Sequence, residues 1–204
     1  MNKPVIAFFP EASFGSALNC VGIAQELQRR GAVPVFLCHQ GFTGVFDEYG
    51  FKEYQLPPAP KADTHRSEES WQAFINAHLE HFNQDPTAQI ESYVGPTWNA
   101  IVDTAIQAEQ GLESLLKRIK PDAIVLDNVI MFPAIANAGV PWIRVVSCAE
   151  TEIPDPNVPP YLSGLAAGDP ARSAFEKAYL EVTAPIHARY NRFRAKRGLE
   201  PLPP

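Results

Sequence analysis

Short apolar runs punctuate the chain: VIAFF from Val5, VPVFLC from Val33, DAIVLD from Asp122 and VPWIRVVSC from Val140. Runs of this length without alternation mark strands buried on both faces, as in parallel sheets covered by helices. A shorter, more polar run, KEYQLP from Lys52, predicts a strand near a sheet edge. After the first run comes a helical pattern from about Ser16 to Arg30. Leu18, Val21, Ile23, Ala24 and Leu27 form its apolar stripe, and Gly31 stops it. TGVFDEYG predicts a short helix ended by Gly50.

From residue 57 the rhythm changes. The proline-rich loop PPAPKADTHR leads into SEESWQAFINAHLEHF, a helix with a weak capping box, Ser67 with Ser70, and with Glu68 and Glu69 in its first turn. One or two long helices follow as far as Pro121, with a break or kink expected at Gly95-Pro96. Beyond the strand that ends at Asp127, NVIMFPAIANAG predicts a helix closed by Gly139. A proline-rich loop follows Cys148. Two C-terminal helices come next, PARSAFEKAYLEV and APIHARYNRFRAKRG, the second with Pro185 in its first turn. The alternation of strands and helices predicts an α/β protein: a Rossmann-like, doubly wound parallel sheet in one domain over residues 1–204, with a loop and helical insertion over about 57–120. Such sheets bind ligands at the carboxyl ends of their strands. That points to the loops at residues 10–16, 38–43, 127–130 and 147–153, with the helical insertion expected to roof them.

Composition narrows the chemistry. The chain has 204 residues and a formal net charge of −6, and no basic patch favours a nucleic-acid partner. No apolar run approaches a membrane span, and the N-terminal run is too short for a signal peptide. Cys20, Cys38 and Cys148 are odd in number and far apart, which fits packed, reduced thiols and a cytoplasmic setting. The first strand–helix turn, PEASFGS, has a single glycine, Gly15, so the dinucleotide fingerprint is absent, as is the phosphate-binding P-loop. No metal site is expected. His78 and His81 share a helical face without a carboxylate to complete a ligand set, and His39 and His187 are isolated. Ser147 and Cys148 end a strand with no histidine placed to pair with them.

The residues from 4 to 56 resemble the N-terminus of GT-B glycosyltransferases of the UDP-glycosyltransferase and antibiotic macrolide-glycosyltransferase type. The family pattern GHxxPxLxLAxxLxxRGHxVxF is met, in register and without gaps, by GSALNCVGIAQELQRRGAVPVF. GVFDEYGFKEYQL, LLKRIKPDAIVLDNVIMFPAIANAGVPWIRVVS and YNRFRAKRGLEPLP match later family segments in the same order. The resemblance implies two Rossmann-like domains, the N-terminal one holding the acceptor and the C-terminal one the nucleotide-sugar. This chain corresponds to the N-terminal domain only. No cofactor is therefore expected on it; a UDP- or dTDP-sugar would bind a C-terminal donor domain supplied in cis or in trans, and the isolated chain would not transfer sugar.

The resemblance also assigns positions. The family's base histidine falls on Ser16, its partner aspartate on Asp127, and the family's Asn and Pro fall on Leu18 and Asn19. A serine hydroxyl is far too weak a base to deprotonate an acceptor alone. Asp127 and Glu11 are therefore the candidate bases. The plainer readings are a helix cap for Asp127, a favourable charge near a helix N-terminus for Glu11 and an N-cap for Ser16. Phe14, Gly15, Phe42, Asn128 and Met131 are the candidate acceptor-binding residues for a lipophilic small molecule; Trp71, Phe74 and Trp98 are further wall candidates with core packing as the plainer reading. A non-catalytic binding domain that lost its base, and a Rossmann-like enzyme of the nucleotide-sugar epimerase kind, are the competing functions.

Overall fold

The fold is described by a computed structural model covering residues 2–57, 67–147, 155, 157–160 and 162–203, with side chains described for all of these except 40, 67–72, 74 and 75. The chain divides into two compact units, one made of residues 1–71 and 107–148, the other of residues 72–106 and 149–204.

The first unit is a Rossmann-like α/β fold. Its strands β1 (Val5–Pro10), β2 (Val33–Cys38), β3 (Lys52–Gln55), β4 (Ala123–Asp127) and β5 (Trp142–Arg144) form one sheet in the order β3-β2-β1-β4-β5. Every pairing is parallel. The polar strand KEYQ lies at one edge, as its composition predicts. Alternation along the strands sorts the core into two faces. Phe8, Phe36, Cys38 and Val125 share a buried cluster with Ala17, Cys20, Val21 and Ala24 of helix α1 (Phe14–Arg29). Phe9, one position out of phase with Phe8, points to the other face and meets Phe132 edge-on at 4.9 Å.

Several boundaries differ from the pattern-based expectation. Helix α1 starts at Phe14, and its N-cap is Ser13, whose side chain accepts from the Ser16 amide at 3.4 Å, so Ser16 is not the cap. The buried stripe of α1 is Ala17-Cys20-Val21-Ala24, while Leu18 is 47% exposed. Small residues let the helix lie close to the sheet, which turns Leu18 outward. TGVFDEYG gives turns and one 3₁₀ turn, Asp47–Tyr49, ended by Gly50 at φ +78. The expected helix over residues 128–139 shrinks to α5 (Pro133–Ala136), because Asn128 forms a turn of its own and Pro133 sets the first helical position. The Ala134 amide of α5 is met by the buried Glu109 carboxylate at 3.1 Å. Of the strand expected over residues 140–148, Trp142–Arg144 forms β5, exposed at the end of the sheet; the Val145 amide still donates to the Leu126 carbonyl at 2.8 Å, and Cys148 lies outside the described residues.

The second unit begins within α2 (Ser67–Phe82), which is helical as expected, although its first two residues of described side chain are Ala73 and Asn76, so the capping box lies outside the described side chains. Helix α3 (Pro86–Gln89) runs through a π-helical turn, Ile90–Val94, into α4 (Gly95–Ile119), whose residues from Gln107 onward belong to the first unit. A break or kink was expected at Gly95-Pro96; the chain stays helical there, and the helix changes from a wide π turn to α at Gly95, next to the proline that lacks an amide. Helix α6 (Arg172–Lys196) is continuous through Pro185, in place of two helices. Within this unit the Trp98 indole donates to the Tyr179 hydroxyl at 2.9 Å, and Arg189 pairs with Asp103.

Candidate functional site

The strand order places a topological switch between β1 and β4. The chain moves from β1 outward through β2 to β3, then returns to the other side of β1 as β4. In sheets of this kind the connections diverge at such a point, and ligands bind at the carboxyl ends of the strands there. Pro10 pairs with Asp127 at this point, and the Glu11 amide donates to the Asp127 carbonyl at 2.6 Å. The turn is tightened by the Ser13 amide on the Glu11 carbonyl at 2.7 Å.

Side-chain direction follows from the strand period. Val125 faces α1, so Asp127, two residues on, faces it too. Ser16 and Cys20 lie one helical turn apart on the α1 face that meets the sheet. The result is a small polar cluster at the end of an apolar core. Asp127 is 2% exposed. Its Oδ1 accepts from the Ser147 hydroxyl at 2.8 Å, and its Oδ2 lies 3.9 Å from the Cys20 thiol. Ser16, also 2% exposed, has its hydroxyl 3.2 Å from that of Ser147. A hydroxyl carries one proton. Ser147 spends its proton on Asp127, so Ser16 is the donor between the two serines. The hydrogen bonds therefore run in one direction, from Ser16 to Ser147 to Asp127. Burial first, then the Asp127 charge, pushes the Cys20 thiol up to about 12, so it stays a neutral donor toward that carboxylate.

The candidate residues separate by surroundings. Asp127 and Ser16 are brought together through Ser147. Asp127 is not a helix cap; the turn amide of Ile130 is taken by the Asn128 side chain at 3.1 Å, and Arg144 Nε donates to the Asn128 carbonyl at 3.0 Å. Glu11 stands on the same rim, partly buried. Phe14 is 38% exposed, and its ring lies 5.5 Å from that of Phe42, which is buried in the core cluster. Gly15 has open space above it, with no atom within 4 Å of where a Cβ would stand. Met131 is half-buried in the segment between β4 and α5. Trp98 belongs to the second unit, and the side chains of Trp71 and Phe74 lie outside the described ones.

Two residues went unused in the sequence reading. Ser147 has its partner 131 positions away in Ser16, and the signal that would have found it is its place two residues beyond Val145, on the α1 face. His39, at the carboxyl end of β2, lies 5.4 Å from the Phe9 ring, and burial pushes its imidazole below the usual histidine value. An open groove also runs along the outer side of α1, from Leu18 to Arg30; Asp127, Ser16 and Ser147 are not among its lining residues. Among the described residues, no cluster of His, Cys, Asp or Glu could hold a metal ion, and no helix is long and apolar enough to cross a membrane.

A parallel sheet in this order, with helices packed on it, is a Rossmann-like fold. No family model and no curated protein matches the sequence. Solved structures do match the fold. The glycotransferase of kitacinnamycin matches with TM-score 0.59 and 15% identity, over 99% of this chain and 42% of its own. The glycosyltransferase SsfS6 of Streptomyces sp. SF2575 matches with TM-score 0.52 and 14% identity, over 98% and 48%. SsfS6 complexed with thymidine diphosphate matches with TM-score 0.51 and 14% identity, over 91% and 45%. The chain thus has a glycosyltransferase-like fold of the GT-B type and spans less than half the length of the structures it matches.

Proposed function

We propose that this chain is the acceptor-binding half of an inverting glycosyltransferase that moves a sugar from a nucleotide-sugar to a hydroxyl of a lipophilic small molecule. The observation that carries the proposal is the Asp127 carboxylate, buried at the switch point of a glycosyltransferase-like fold and hydrogen-bonded to the Ser147 hydroxyl, which in turn meets that of Ser16. A carboxylate so enclosed can take up a proton through its neighbours but cannot itself attack an anomeric carbon. That favours a single displacement, with inversion, over a covalent sugar intermediate. Glu11, at the rim beside Asp127, is the second candidate base. The Phe14 ring, the open space above Gly15, and Met131 are the acceptor-binding candidates; Phe42 supports Phe14 from the core, and Asn128 shapes the neighbouring turn. The UDP- or dTDP-sugar would bind the donor half, in cis or in trans; the complex of SsfS6 with thymidine diphosphate is in keeping with that. The free thiols of Cys20 and Cys38 suit the cytoplasm.

The experiment is transfer from UDP- and dTDP-sugars to a panel of polycyclic and macrolide aglycones, with the anomeric configuration of the product read by NMR. This chain is assayed alone and together with a donor-binding half from the same or a neighbouring reading frame. Transfer only in the combined sample, with inversion, is expected. Retention of configuration, or transfer by the chain alone, would overturn the proposal. Aglycone binding without transfer in any combination would favour a binding domain that has lost its base, a reading to which Ser16 at the base position lends support.

A further inference from the structure

The Asp127 carboxylate is too enclosed to meet an acceptor directly, and Ser16 is equally buried. Of the three groups in the hydrogen-bond chain, Ser147 alone is exposed. Its hydroxyl oxygen receives one hydrogen bond from Ser16, which leaves a second lone pair on the one exposed residue of the three. The oxygen is thus placed to accept from outside while its proton already points at Asp127 Oδ1, 2.8 Å away.

We propose that Ser147 is the residue that takes the proton from the acceptor hydroxyl and passes its own to Asp127. The inference rests on the glycosyltransferase reading above. As the acceptor oxygen forms its bond to the anomeric carbon, its O–H bond breaks and that proton moves to Ser147 Oγ. The original Ser147 O–H bond breaks in the same step, and its proton goes to Asp127 Oδ1. The bond from the anomeric carbon to the phosphate oxygen breaks, and its electron pair leaves with the nucleoside diphosphate. Asp127 ends neutral and Ser147 unchanged. After product release the proton returns to water by the reverse path. Ser16 is a positioning residue: its donated hydrogen bond fixes the Ser147 rotamer. Cys20 occupies Oδ2, so that Oδ1 receives the proton. The arrangement lets a weakly basic hydroxyl serve where a basic side chain is missing, because the base is the carboxylate behind it. The free energy of proton transfer is set by Asp127, and the serine supplies reach.

The test compares Ser147→Ala, Ser147→Thr and Asp127→Asn in the chain combined with its donor half. Loss of a general base costs about 10²- to 10⁴-fold. Ser147→Ala is expected to lower kcat by about 10²- to 10³-fold with the acceptor KM nearly unchanged, and Asp127→Asn by a similar factor. Ser147→Thr keeps the hydroxyl and should recover to within about tenfold of wild type. Two protons in flight should bend the wild-type plot of rate against deuterium fraction. Ser147→Ala turnover within about threefold of wild type, equal losses in Ala and Thr, or a straight wild-type plot would each overturn the relay while leaving the glycosyltransferase reading standing. Absence of transfer by the wild type in every combination would overturn that reading, and the relay with it.

Discussion

Glu53 offers the sharpest quantitative test of how the site loop is held. It lies on the edge strand β3, yet its carboxylate accepts three backbone amides from the loop that follows Phe42. The Gly44 amide reaches Oε2 at 2.8 Å, while those of Phe46 and Asp47 reach Oε1 at 2.7 and 3.1 Å. Gly44 sits at φ +85, in the left-handed region that glycine enters freely, so the turn presents these amides as a nest around one carboxylate. Hydrogen bonds to a charged group contribute about 1.5–3 kcal/mol each when desolvated. Glu53 is only half-buried, and water can replace part of that, so Glu53→Ala should cost about 3 kcal/mol in all. Glu53→Gln is isosteric. It keeps one acceptor oxygen for Phe46 and Asp47 but turns an amide donor against the Gly44 amide, for a cost of about 2 kcal/mol. Urea unfolding with an unchanged slope measures both values. Native hydrogen exchange should quicken at the amides of Gly44, Phe46 and Asp47 in either variant while the β1 amides stay protected. Both variants unfolding within about 0.5 kcal/mol of wild type would refute the reasoning, since water would then serve the loop as well as the carboxylate does.

The remaining predictions concern the core around the site. His39 is held neutral by burial; at high pH the folded and unfolded imidazoles are both neutral, and stability is lost as pH falls from about 6.5 toward the lowered folded value, because only the unfolded chain takes the proton. His39→Gln should flatten that acid-side loss in unfolding curves taken between pH 8 and 5, and an unchanged pH profile would show that His39 is not the group responsible. At Gly111, on α4, an added Cβ would stand 2.6 Å from Pro57 Cδ, in a ring that cannot rotate away. Gly111→Ala should therefore destabilise by about 1–3 kcal/mol despite alanine's helix propensity, and a raised unfolding midpoint would contradict it. Burial, aided by nearby carboxylates, pushes the Cys20 and Cys38 thiols up to about 12, so a thiol reagent at pH 8 should leave both unlabelled until the chain unfolds; peptide mapping of the labelled protein decides this.

Much of the sheet was legible because its cause is local. VIAFF and VPVFLC have the continuous apolar runs that parallel strands need, and they pair as β1 and β2 over Val5 to Phe8. Elements set by tertiary contact were misread. Pro185 marks a helix start by composition, yet α6 runs through it, since its face is secured by buried Phe175, Ile186 and Tyr190 on both sides of the proline. The apolar NVIMF segment has no helical partner for its first amides, and Asn128 takes one of them into a turn instead. The sequence named Asp127, Ser16 and the switch-point loops as candidates, and the fold joins the first two through Ser147. It could not show Ser147, whose meaning depends on a hydrogen bond to a residue 131 positions away. The plainer reading of Asp127, as a cap, falls to its neighbour Asn128, because Asp and Asn are equally good candidates until the strand period turns one of them inward.

The outer edge of β5 has a consequence for handling the protein. Trp142, Ile143 and Val146 are 41%, 62% and 40% exposed, and no strand among the described residues pairs with that edge. A short apolar border with an unpaired edge is a template for an extended chain that meets it. Preparations of this chain by itself should therefore clump as concentration rises, first as edge-to-edge pairs. A lysine in place of Ile143 would keep such samples clear more cheaply than detergent, because one charge on the border makes every such pairing bury it.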